Sequence, residues 1–207
     1  MAMSSRSQSP KRRPYTQKIR AERQAQTRLR ITEAVLSLHE EIGPALTTIS
    51  AVAKRAGVER PTVYRHFPDE ASLLGACRDH WLSQNPPPDP SPWVALADPE
   101  ERLRMALTQL YAFHRTTAPM TANLLRDASI SPAVADAIAM MRAAFAAIVE
   151  LLLVGWLVDP DRVHLARAAL AHGVSFETWD SLCVKNGLDD GEAVELVIGM
   201  VAAATHV

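Results

Sequence analysis

The chain has 207 residues, a formal net charge of −1 and an apolar content of 48%. This length suits one small and one larger core, more than a single binding module of about 50 residues needs. Two isolated cysteines, Cys77 and Cys183, are too few for a disulfide framework or a zinc site, so we expect a reducing, cytoplasmic compartment and no metal or other cofactor. The most apolar run, residues 143–158, has only 16 residues with Glu150 inside it, which favours a buried helix over a membrane span.

Positive charge is concentrated at the beginning of the chain. Residues 1–67 contain 13 Lys and Arg against 5 Asp and Glu, whereas residues 68–207 contain 9 against 18. A basic segment can neutralise nucleic-acid phosphates, while an acidic remainder repels them and orients the approach. The alternative, a basic tail that only keeps the N-terminus soluble, fits residues 1–20 taken alone. Residues 1–24 are polar and lack periodicity, and we interpret them as a disordered basic arm.

The segment after the arm predicts two helices. The first covers residues 25–42 and ends at Gly43-Pro44; its apolar stripe is Ile31, Ala34, Val35 and Leu38. The next begins at Thr48, whose hydroxyl can cap free backbone N–H groups, and it ends at Gly57, since glycine accepts the left-handed backbone that closes a helix. Its apolar positions, spaced by three and four residues, are Ile49, Val52, Ala53 and Ala56.

A third helix is predicted over residues 60–66, with Pro61 in its first turn, where a missing N–H costs nothing. Only Val63 and the following Phe67 point inward, so its polar side chains face outward. One helix of this size fits the major groove of B-DNA, and a helix-turn-helix places the start of its second helix against the bases. We expect Arg60 and Thr62 to read base edges. The predicted DNA-binding residues are Arg28, Thr48, Arg60, Pro61, Thr62, Tyr64, Arg65 and His66.

A family resemblance is carried by the run T-x-x-x-[IV]-A-x-x-A-G-V-x-x-x-T-[LV]-Y-x-x-F-x-x-x-x-x-L. It is met by Thr48, Val52, Ala53, Ala56, Gly57, Val58, Thr62, Val63, Tyr64, Phe67 and Leu73. This stretch resembles the N-terminal domain of the TetR family of bacterial transcriptional regulators. Two positions depart from that pattern: Glu59 stands where Ser is frequent, and Glu70 where Lys is common. Both place a carboxylate near expected phosphates, so one usual backbone contact is expected to be missing.

The remainder of the chain predicts only helices and one stiff spacer. A connecting helix is expected over residues 70–83. Residues 85–92 hold five prolines, which fix an extended backbone rather than a helix. The later helical segments are 99–117, 120–128, 132–157, 161–186 and 190–205, with no strand pattern anywhere.

The last helix is apolar on more than one face, through Val194, Leu196, Val197, Ile198, Met200 and Val201. Such a helix must be covered on both sides, and a second copy of the chain is the simplest cover. The family resemblance also implies a homodimer joined by residues 161–186 and 190–205. We therefore place Val197 in the interface.

A ligand cavity is a further expectation, because the resemblance implies a larger domain that surrounds one. The residues predicted to line it are Tyr111, His114, Leu124, Met140, Met141, Phe145, Ile148, Phe176 and Trp179. Ordinary core packing is the alternative for each of them. His39 is expected on a solvated face. Enzyme motifs are absent from the sequence, so we expect no catalytic residues and no enzyme.

These observations predict an all-α protein with a basic arm (1–24), a helix-turn-helix DNA-binding domain (25–69) and a helical ligand-binding and dimerisation domain (70–207). The function they favour is a transcriptional regulator, a repressor that binds a palindromic DNA operator as a dimer and is released by a small apolar or amphipathic effector. An architectural DNA-binding dimer without a ligand is the alternative. No membrane partner is expected.

Overall fold

The computed structural model describes residues 12–205. Residues 1–11, which belong to the predicted arm, and residues 206–207 lie outside the described part. Within residues 12–205 the chain forms ten α-helices and no strand, as the all-α prediction required. The helices are α1 (Arg12–Glu41), α2 (Ile49–Ala56), α3 (Arg60–His66), α4 (Glu70–Gln84), α5 (Ser91–Val94), α6 (Pro99–Asp127), α7 (Pro132–Leu153), α8 (Val163–Gly173), α9 (Phe176–Trp179) and α10 (Asp190–Thr205).

The first four helices form a small head around one apolar cluster. α1 packs against α2 and α4, and its buried side chains Ile31, Val35 and Leu38 meet Val52 and Val63. α1 begins at Arg12 rather than at the predicted residue 25, so the part of the arm over 12–24 is helical and not disordered. The head core also takes in residues beyond the predicted boundary at 69, namely Leu73, Cys77 and Met120.

The body is built on α6, a single helix of 29 residues. Two helices with a break between residues 117 and 120 were predicted there, and this was wrong because Pro119 lies inside α6. A proline inside a helix costs about 3 kcal/mol. Buried residues on both sides of it, Tyr111 in the body core and Met120 in the head core, hold the two halves in line.

Three other predicted boundaries differ from the structure. The helix predicted over 132–157 ends at Leu153, where the backbone turns through Gly155 with φ of 89°. The single helix predicted over 161–186 is divided into α8, α9 and a π-helical segment, Asp180–Lys185, because Ser175 caps a new helix by accepting a hydrogen bond from the Thr178 amide. The proline spacer ends early, since Ser91 already begins α5.

α10 lies against α6 and α8 and completes the body core. Val197 is only 1% exposed. A Cβ on Gly173 of α8 would lie 2.5 Å from its Cγ1 atom. Val197 is therefore packed inside the protomer, and its predicted place in a dimer interface was wrong. Within residues 12–205 no helix is both long and apolar enough to cross a membrane.

Candidate nucleic-acid interface

The turn between α2 and α3 is formed as the sequence predicted. The Thr48 hydroxyl oxygen accepts a hydrogen bond from the Ala51 amide at 3.1 Å, which caps the N-terminus of α2. Gly57 ends α2 in the left-handed conformation, with φ of 63°. Val58 then donates its amide to the Ala53 carbonyl at 3.0 Å. These contacts fix the direction in which α3 leaves α2.

α3 has one buried side chain, Val63, and polar side chains on its other faces. Tyr64 is 48% exposed. Thr62 and His66 are half-buried. The remaining predicted contact residues are exposed: Thr48 at the start of α2, with Arg60, Pro61 and Arg65 on α3. The structure thus brings seven of the eight predicted residues onto or beside one short helix.

Arg28, the eighth predicted residue, lies on α1 and contacts the C-terminal end of α3. Its Nη1 atom donates a hydrogen bond to the His66 carbonyl at 2.6 Å, and its guanidinium lies 4.0 Å from the centre of the Phe67 ring. A cation at the C-terminal carbonyl of a helix satisfies an acceptor that lacks a partner in the helix. Arg28 therefore holds the end of α3 against α1.

The charge around α3 is mixed. Burial, together with the neighbouring cations Arg65 and Arg28, lowers the pKa of His66, which favours its neutral form near neutral pH. Glu59 is exposed at the N-cap of α3 and makes no capping hydrogen bond. Glu70, the second departure from the family pattern, lies 3.5 Å from the Ser131 hydroxyl at the start of α7. Glu70 thus contacts the body.

A cavity of about 600 Å³ opens between α6, α7, and the segment from α8 to α9. Four predicted lining residues are present in its wall: His114, Met141, Phe145 and Phe176. The sequence did not single out Phe113, Thr121, Leu125, Arg142 or Glu177, which also line it. Arg142 and Glu177 are exposed, so the cavity has an aromatic wall with charged groups beside it.

The other five predicted lining residues are not in the cavity wall. Tyr111 and Trp179 are buried in the body core, and the Tyr111 hydroxyl donates to the Gly173 carbonyl at 3.0 Å. Leu124 packs on the head core, and Met140 is 59% exposed. Ile148 packs beside the body core. Apolar periodicity placed these residues on the correct helices but could not separate core from cavity.

His114 is a buried polar residue of the cavity wall. Its Nε2 lies 3.0 Å from the Val174 carbonyl, so this nitrogen carries the proton, and its ring stacks on Phe145 at a centroid distance of 5.8 Å. Burial lowers the pKa of His114, which keeps the ring neutral. Nδ1 has no hydrogen-bond partner among residues 12–205 and is the acceptor that the ring retains.

The head and body meet at a polar junction that the sequence analysis missed. Asn123 Nδ2 donates to the carbonyls of His39 and Glu40, each at 2.9 Å. Arg126 Nη2 donates to the Ile42 carbonyl at 2.9 Å. These three α6 contacts bind carbonyls at and just after the end of α1, where intrahelical donors run out. The His39 carbonyl also accepts from the Gly43 amide at 3.1 Å.

Asp127 completes this junction. Its carboxylate is 1% exposed and accepts hydrogen bonds from the Ala45 amide at 2.9 Å and from Arg126 Nε at 2.7 Å. Gly43 (φ 90°) leaves room for it, since a Cβ there would lie 2.5 Å from Asp127 Oδ2. The sequence signal for this junction is the pattern Asn-x-x-Arg-Asp at the end of a helix. The residues that it contacts near the end of α1 are more than 80 positions away in the sequence.

His39, expected on a solvated face, is 4% exposed. The reason is that α4 covers it, and its Nδ1 lies 3.6 Å from Cys77 Sγ. Burial lowers the pKa of His39 to about 4, against a smaller raising effect of Asp127. Burial, with a smaller effect of Glu40, raises the pKa of the Cys77 thiol to about 12. Both groups are therefore neutral near pH 7.

Comparison with known proteins links the head to a family. Residues 31–77 match the model of bacterial regulatory proteins, tetR family. HTH-type transcriptional regulators of Mycobacterium tuberculosis and Mycobacterium bovis are 42% identical to this chain over 52 residues, which is 25% of this chain and 28% of each relative. The match thus spans less than a third of the relatives' length. The family and these relatives are transcriptional regulators, not enzymes.

Solved structures share the fold over most of the chain. A transcriptional regulator from Rhodococcus sp. Rha1 aligns with 87% of this chain and 98% of its own, at a TM-score of 0.57 and 21% identity. A TetR transcription regulator from Haloarcula marismortui covers 87% and 97%, at 0.57 and 19%. NalD, the secondary repressor of the MexAB-OprM multidrug efflux pump in Pseudomonas aeruginosa, covers 88% and 97%, at 0.58 and 18%. These likenesses concern the fold.

Proposed function

We propose that this chain, which belongs to the TetR family of bacterial regulatory proteins, is a repressor that binds a palindromic DNA operator as a homodimer. The repressor leaves the operator when a small amphipathic molecule enters the cavity of the body. The observation that carries the DNA-binding part is the exposed polar face of α3. A helix with a single buried side chain, Val63, presents Arg60, Tyr64 and Arg65 to solvent. In the major groove these groups meet base edges and phosphates.

Arg60→Ala tests the reading of bases. A duplex selected by the wild-type protein from a random-sequence pool supplies the probe. We expect the variant to lose about 1–3 kcal/mol of binding free energy, and its preference over a scrambled duplex to fall, because a base contact is lost. Tyr64→Phe is expected to weaken both duplexes alike. Arg104→Ala, which removes an equal charge from the body, is the control. Unchanged sequence preference in Arg60→Ala would contradict the assignment.

The proposed dimer interface is the outer face of α8 and α10. Leu165 of α8 is 43% exposed, and Leu196 and Met200 of α10 are 46% and 43% exposed. Gly199 and Ala203, also exposed, continue the same stripe at helical spacing. Adjacent helices with apolar outer faces favour a two-fold interface. Such a dimer would hold its two α3 helices about one DNA turn, roughly 34–36 Å, or a modest multiple apart.

The cavity supports a ligand of amphipathic character. Its wall includes Phe113, Phe145 and Phe176, which suit an apolar body. The Nδ1 atom of His114 suits a hydroxyl or N–H donor, and Arg142 offers a cation beside the wall. A volume of about 600 Å³ lies within the ~300–1,000 Å³ of typical small-molecule sites.

Two alanines of α7 make a matched test of this cavity. Ala146 and Ala147 are both exposed, but only Ala146 lines the cavity. A thermal-shift screen of apolar and amphipathic compounds would supply ligands. Ala146→Trp should then lose the stabilisation by the hits while binding DNA normally, and Ala147→Trp should keep it. Equal responses of the two variants would place the ligand elsewhere.

The junction of α6 and α1 supports a route from ligand to DNA. Thr121 and Leu125 line the cavity, and Asn123 and Arg126, which bind the end of α1, lie within a turn of them. Displacement of this part of α6 would therefore move the head. The connecting helix predicted over residues 70–83 offers a second route, because α4 also contacts α7. Coupling of this kind amounts to about 1–3 kcal/mol and must be reciprocal.

The alternative, an architectural DNA-binding dimer without a ligand, makes a different prediction for the same hits. If stabilising compounds leave DNA affinity unchanged, the cavity is not coupled to the head and induction fails. If each hit weakens DNA binding and DNA weakens that hit by the same factor, induction is supported. The cavity and the junction share α6, which favours the result in which each hit weakens DNA binding.

A further inference from the structure

The wall of the cavity contains two buried polar side chains on one face of α6. His114 is 2% exposed and Thr121 is 6% exposed, and both line the cavity. They are seven residues apart, which is close to two helical turns, so they lie on the same side of the helix. At a rise of about 1.5 Å per residue, their backbone positions are roughly 10 Å apart along the helix axis. The cavity therefore has two polar points at a fixed separation.

Each of these two side chains keeps an unused hydrogen-bonding atom. The Nε2 atom of His114 donates to the Val174 carbonyl at 3.0 Å, and its Nδ1 atom has no partner in the described part of the chain. Thr117 donates its hydroxyl to the Phe113 carbonyl at 2.7 Å, whereas the Thr121 hydroxyl makes no such bond with any residue from 12 to 205. Burial of a polar atom without a partner is unfavourable, so both atoms favour a ligand that pairs with them.

The two polar points accept different ligand groups. Burial lowers the pKa of His114, so the ring stays neutral and its Nδ1 atom is only an acceptor. A hydroxyl or N–H group can donate to this atom, whereas a carboxylate or carbonyl oxygen cannot. The Thr121 hydroxyl can both donate and accept, so it suits a hydroxyl group or a carbonyl oxygen. One end of the ligand must therefore carry a donor, while the other end needs only an oxygen atom.

The wall around these points is aromatic, and its charged groups are exposed. Phe145 stacks on the His114 ring at a centroid distance of 5.8 Å, and Phe176 meets the same ring edge-on at 5.7 Å. Arg142 and Glu177, the charged residues of the wall, have opposite signs and are both exposed to solvent. Exposed charges are screened by water and hold an ionised group weakly. Flat, uncharged rings are therefore the best match for this wall.

We propose that the ligand is an uncharged, elongated molecule of aromatic or fused rings, with a hydroxyl group at one end that donates to His114 and an oxygen at the other end that pairs with Thr121. This inference rests on the proposed function and names the class of ligand for the same cavity. The ligand lies along α6, with its rings beside Phe145 and its polar ends about two helical turns apart. A cavity of about 600 Å³ accepts a molecule of about two to four rings.

A set of biphenyls tests the two ends of the ligand. para,para′-Biphenol carries a hydroxyl group at each end, and its oxygens are about as far apart as two helical turns. para-Phenylphenol keeps one hydroxyl group, biphenyl has none, and meta,meta′-biphenol has the same atoms with a different oxygen spacing. Isothermal titration calorimetry with the whole chain measures their affinities. We expect para,para′-biphenol to bind most tightly, and each missing hydrogen bond to weaken binding by roughly 2- to 12-fold.

Two buried threonines of α6 provide matched variants. Thr121→Val removes the hydroxyl in the cavity wall, whereas Thr117→Val removes a hydroxyl that is absent from this wall. In the wild type and in Thr117→Val, para,para′-biphenol should bind roughly 2- to 12-fold more tightly than para-phenylphenol. In Thr121→Val this advantage should disappear, because the second hydroxyl group has lost its partner. Circular dichroism verifies that both variants are folded.

The donor required by His114 is tested in Thr121→Val, where only one polar point remains. para-Phenylphenol should bind this variant roughly 2- to 12-fold more tightly than its methyl ether, which keeps the oxygen but lacks the proton that Nδ1 accepts. Biphenyl-para-carboxylate, an ionised probe of the same length, should bind the wild type more weakly than para-phenylphenol. Equal affinities in either pair would contradict the proposed ligand class.

The inference and the proposed function fail in different ways. If Thr121→Val and Thr117→Val show the same preference for para,para′-biphenol, or if the wild type binds its meta,meta′ isomer as tightly, the inference is wrong. If the biphenols do not bind while other hits of the thermal-shift screen bind and lower DNA affinity, the inference is also wrong, but the proposed function stands. If no compound of that screen lowers DNA affinity, the release mechanism of the proposed function fails, whatever the biphenols do.

Discussion

The head and the body hold their helices in different ways. α2 and α3 have eight and seven residues, well below the ~12–15 residues at which an isolated helix becomes even marginal in water. They depend on the Thr48 cap, the Gly57 turn and a small cluster around Val63. The body instead packs α6 and α7, of 29 and 22 residues, around a larger apolar cluster that includes Trp93, Tyr111 and Trp179.

This difference indicates where each region is sensitive. Burial dominates the body, so that even Pro119 is accepted within α6, and the largest losses there should come from charges placed in the core. The stability of the head depends mainly on how its helices end, so the removal of a single helix cap should cause a smaller, local loss of stability. The junction of α6 with α1 belongs to both regions, because polar groups of a body helix satisfy the end of a head helix.

The largest expected effect separates the two faces of α10. Val197→Asp would bury a charge without a partner inside the protomer, at a cost of at least about 4 kcal/mol. We expect this variant to lose the cooperative unfolding transition. Leu196→Asp, on the outer face, should stay folded and sediment as a monomer. A folded Val197→Asp protein in thermal denaturation would contradict the packing of α10 described here.

The junction gives the next largest effect. Asn123→Ala removes two hydrogen bonds to carbonyls at the end of α1. The His39 carbonyl would keep the Gly43 amide at 3.1 Å, whereas the Glu40 carbonyl would lose its side-chain donor. The loss of both bonds should lower the free energy of unfolding by about 2–3 kcal/mol. Thr116→Ala, which removes an exposed hydroxyl on the same helix, should change it by less than about 0.5 kcal/mol. Urea denaturation measures both. Similar values for the two would mean that head and body do not depend on this contact.

A pH-dependent effect is expected at His39 in the head core. Its pKa is about 4 in the folded protein because of burial, against about 6.5 when unfolded. Between these values the unfolded chain binds the proton more readily, so stability falls as the pH is lowered through this range. The wild-type protein should lose about 2 kcal/mol from this residue between pH 7 and pH 5.

His39→Leu removes this titration and provides the comparison. The free energy of unfolding of the variant should fall less steeply between pH 7 and pH 5 than that of the wild type, by about 2 kcal/mol. Urea denaturation at several pH values measures both slopes. Parallel slopes would show that His39 titrates with an ordinary pKa and is not buried as described.

The sequence predicted the head more closely than the body for a physical reason. In α2 and α3 the signals are local: Thr48, Gly57 and Pro61 act on backbone groups within four residues of themselves. The breaks in the body depend on distant contacts. The sequence predicts a break at Pro119, whereas the burial that keeps α6 continuous comes from residues spread over both cores.

The same reasoning explains the candidate sites. DNA contacts are predicted for residues of α3 because few of its side chains can face inward, and this outward face is formed by local sequence alone. In the cavity, the apolar spacing of α6 and α7 located the correct helices, but core and cavity walls have the same composition. The roles of Asn123 and Asp127 could not be predicted, because their hydrogen-bond partners, near residues 39–45, are remote in the sequence.

The smallest expected effect concerns the cap of α2. Thr48→Ala removes the side-chain acceptor of the Ala51 amide and should cost about 1 kcal/mol, within a range of about 0.5–2. Ser50→Ala, an exposed position in the first turn of the same helix, should cost less than about 0.5 kcal/mol. If the head depends on local termination, hydrogen exchange should accelerate in α2 and α3 of Thr48→Ala and stay unchanged in α6 and α10. Uniform acceleration throughout the chain would mean that head and body unfold as one unit, and the distinction between them would not hold.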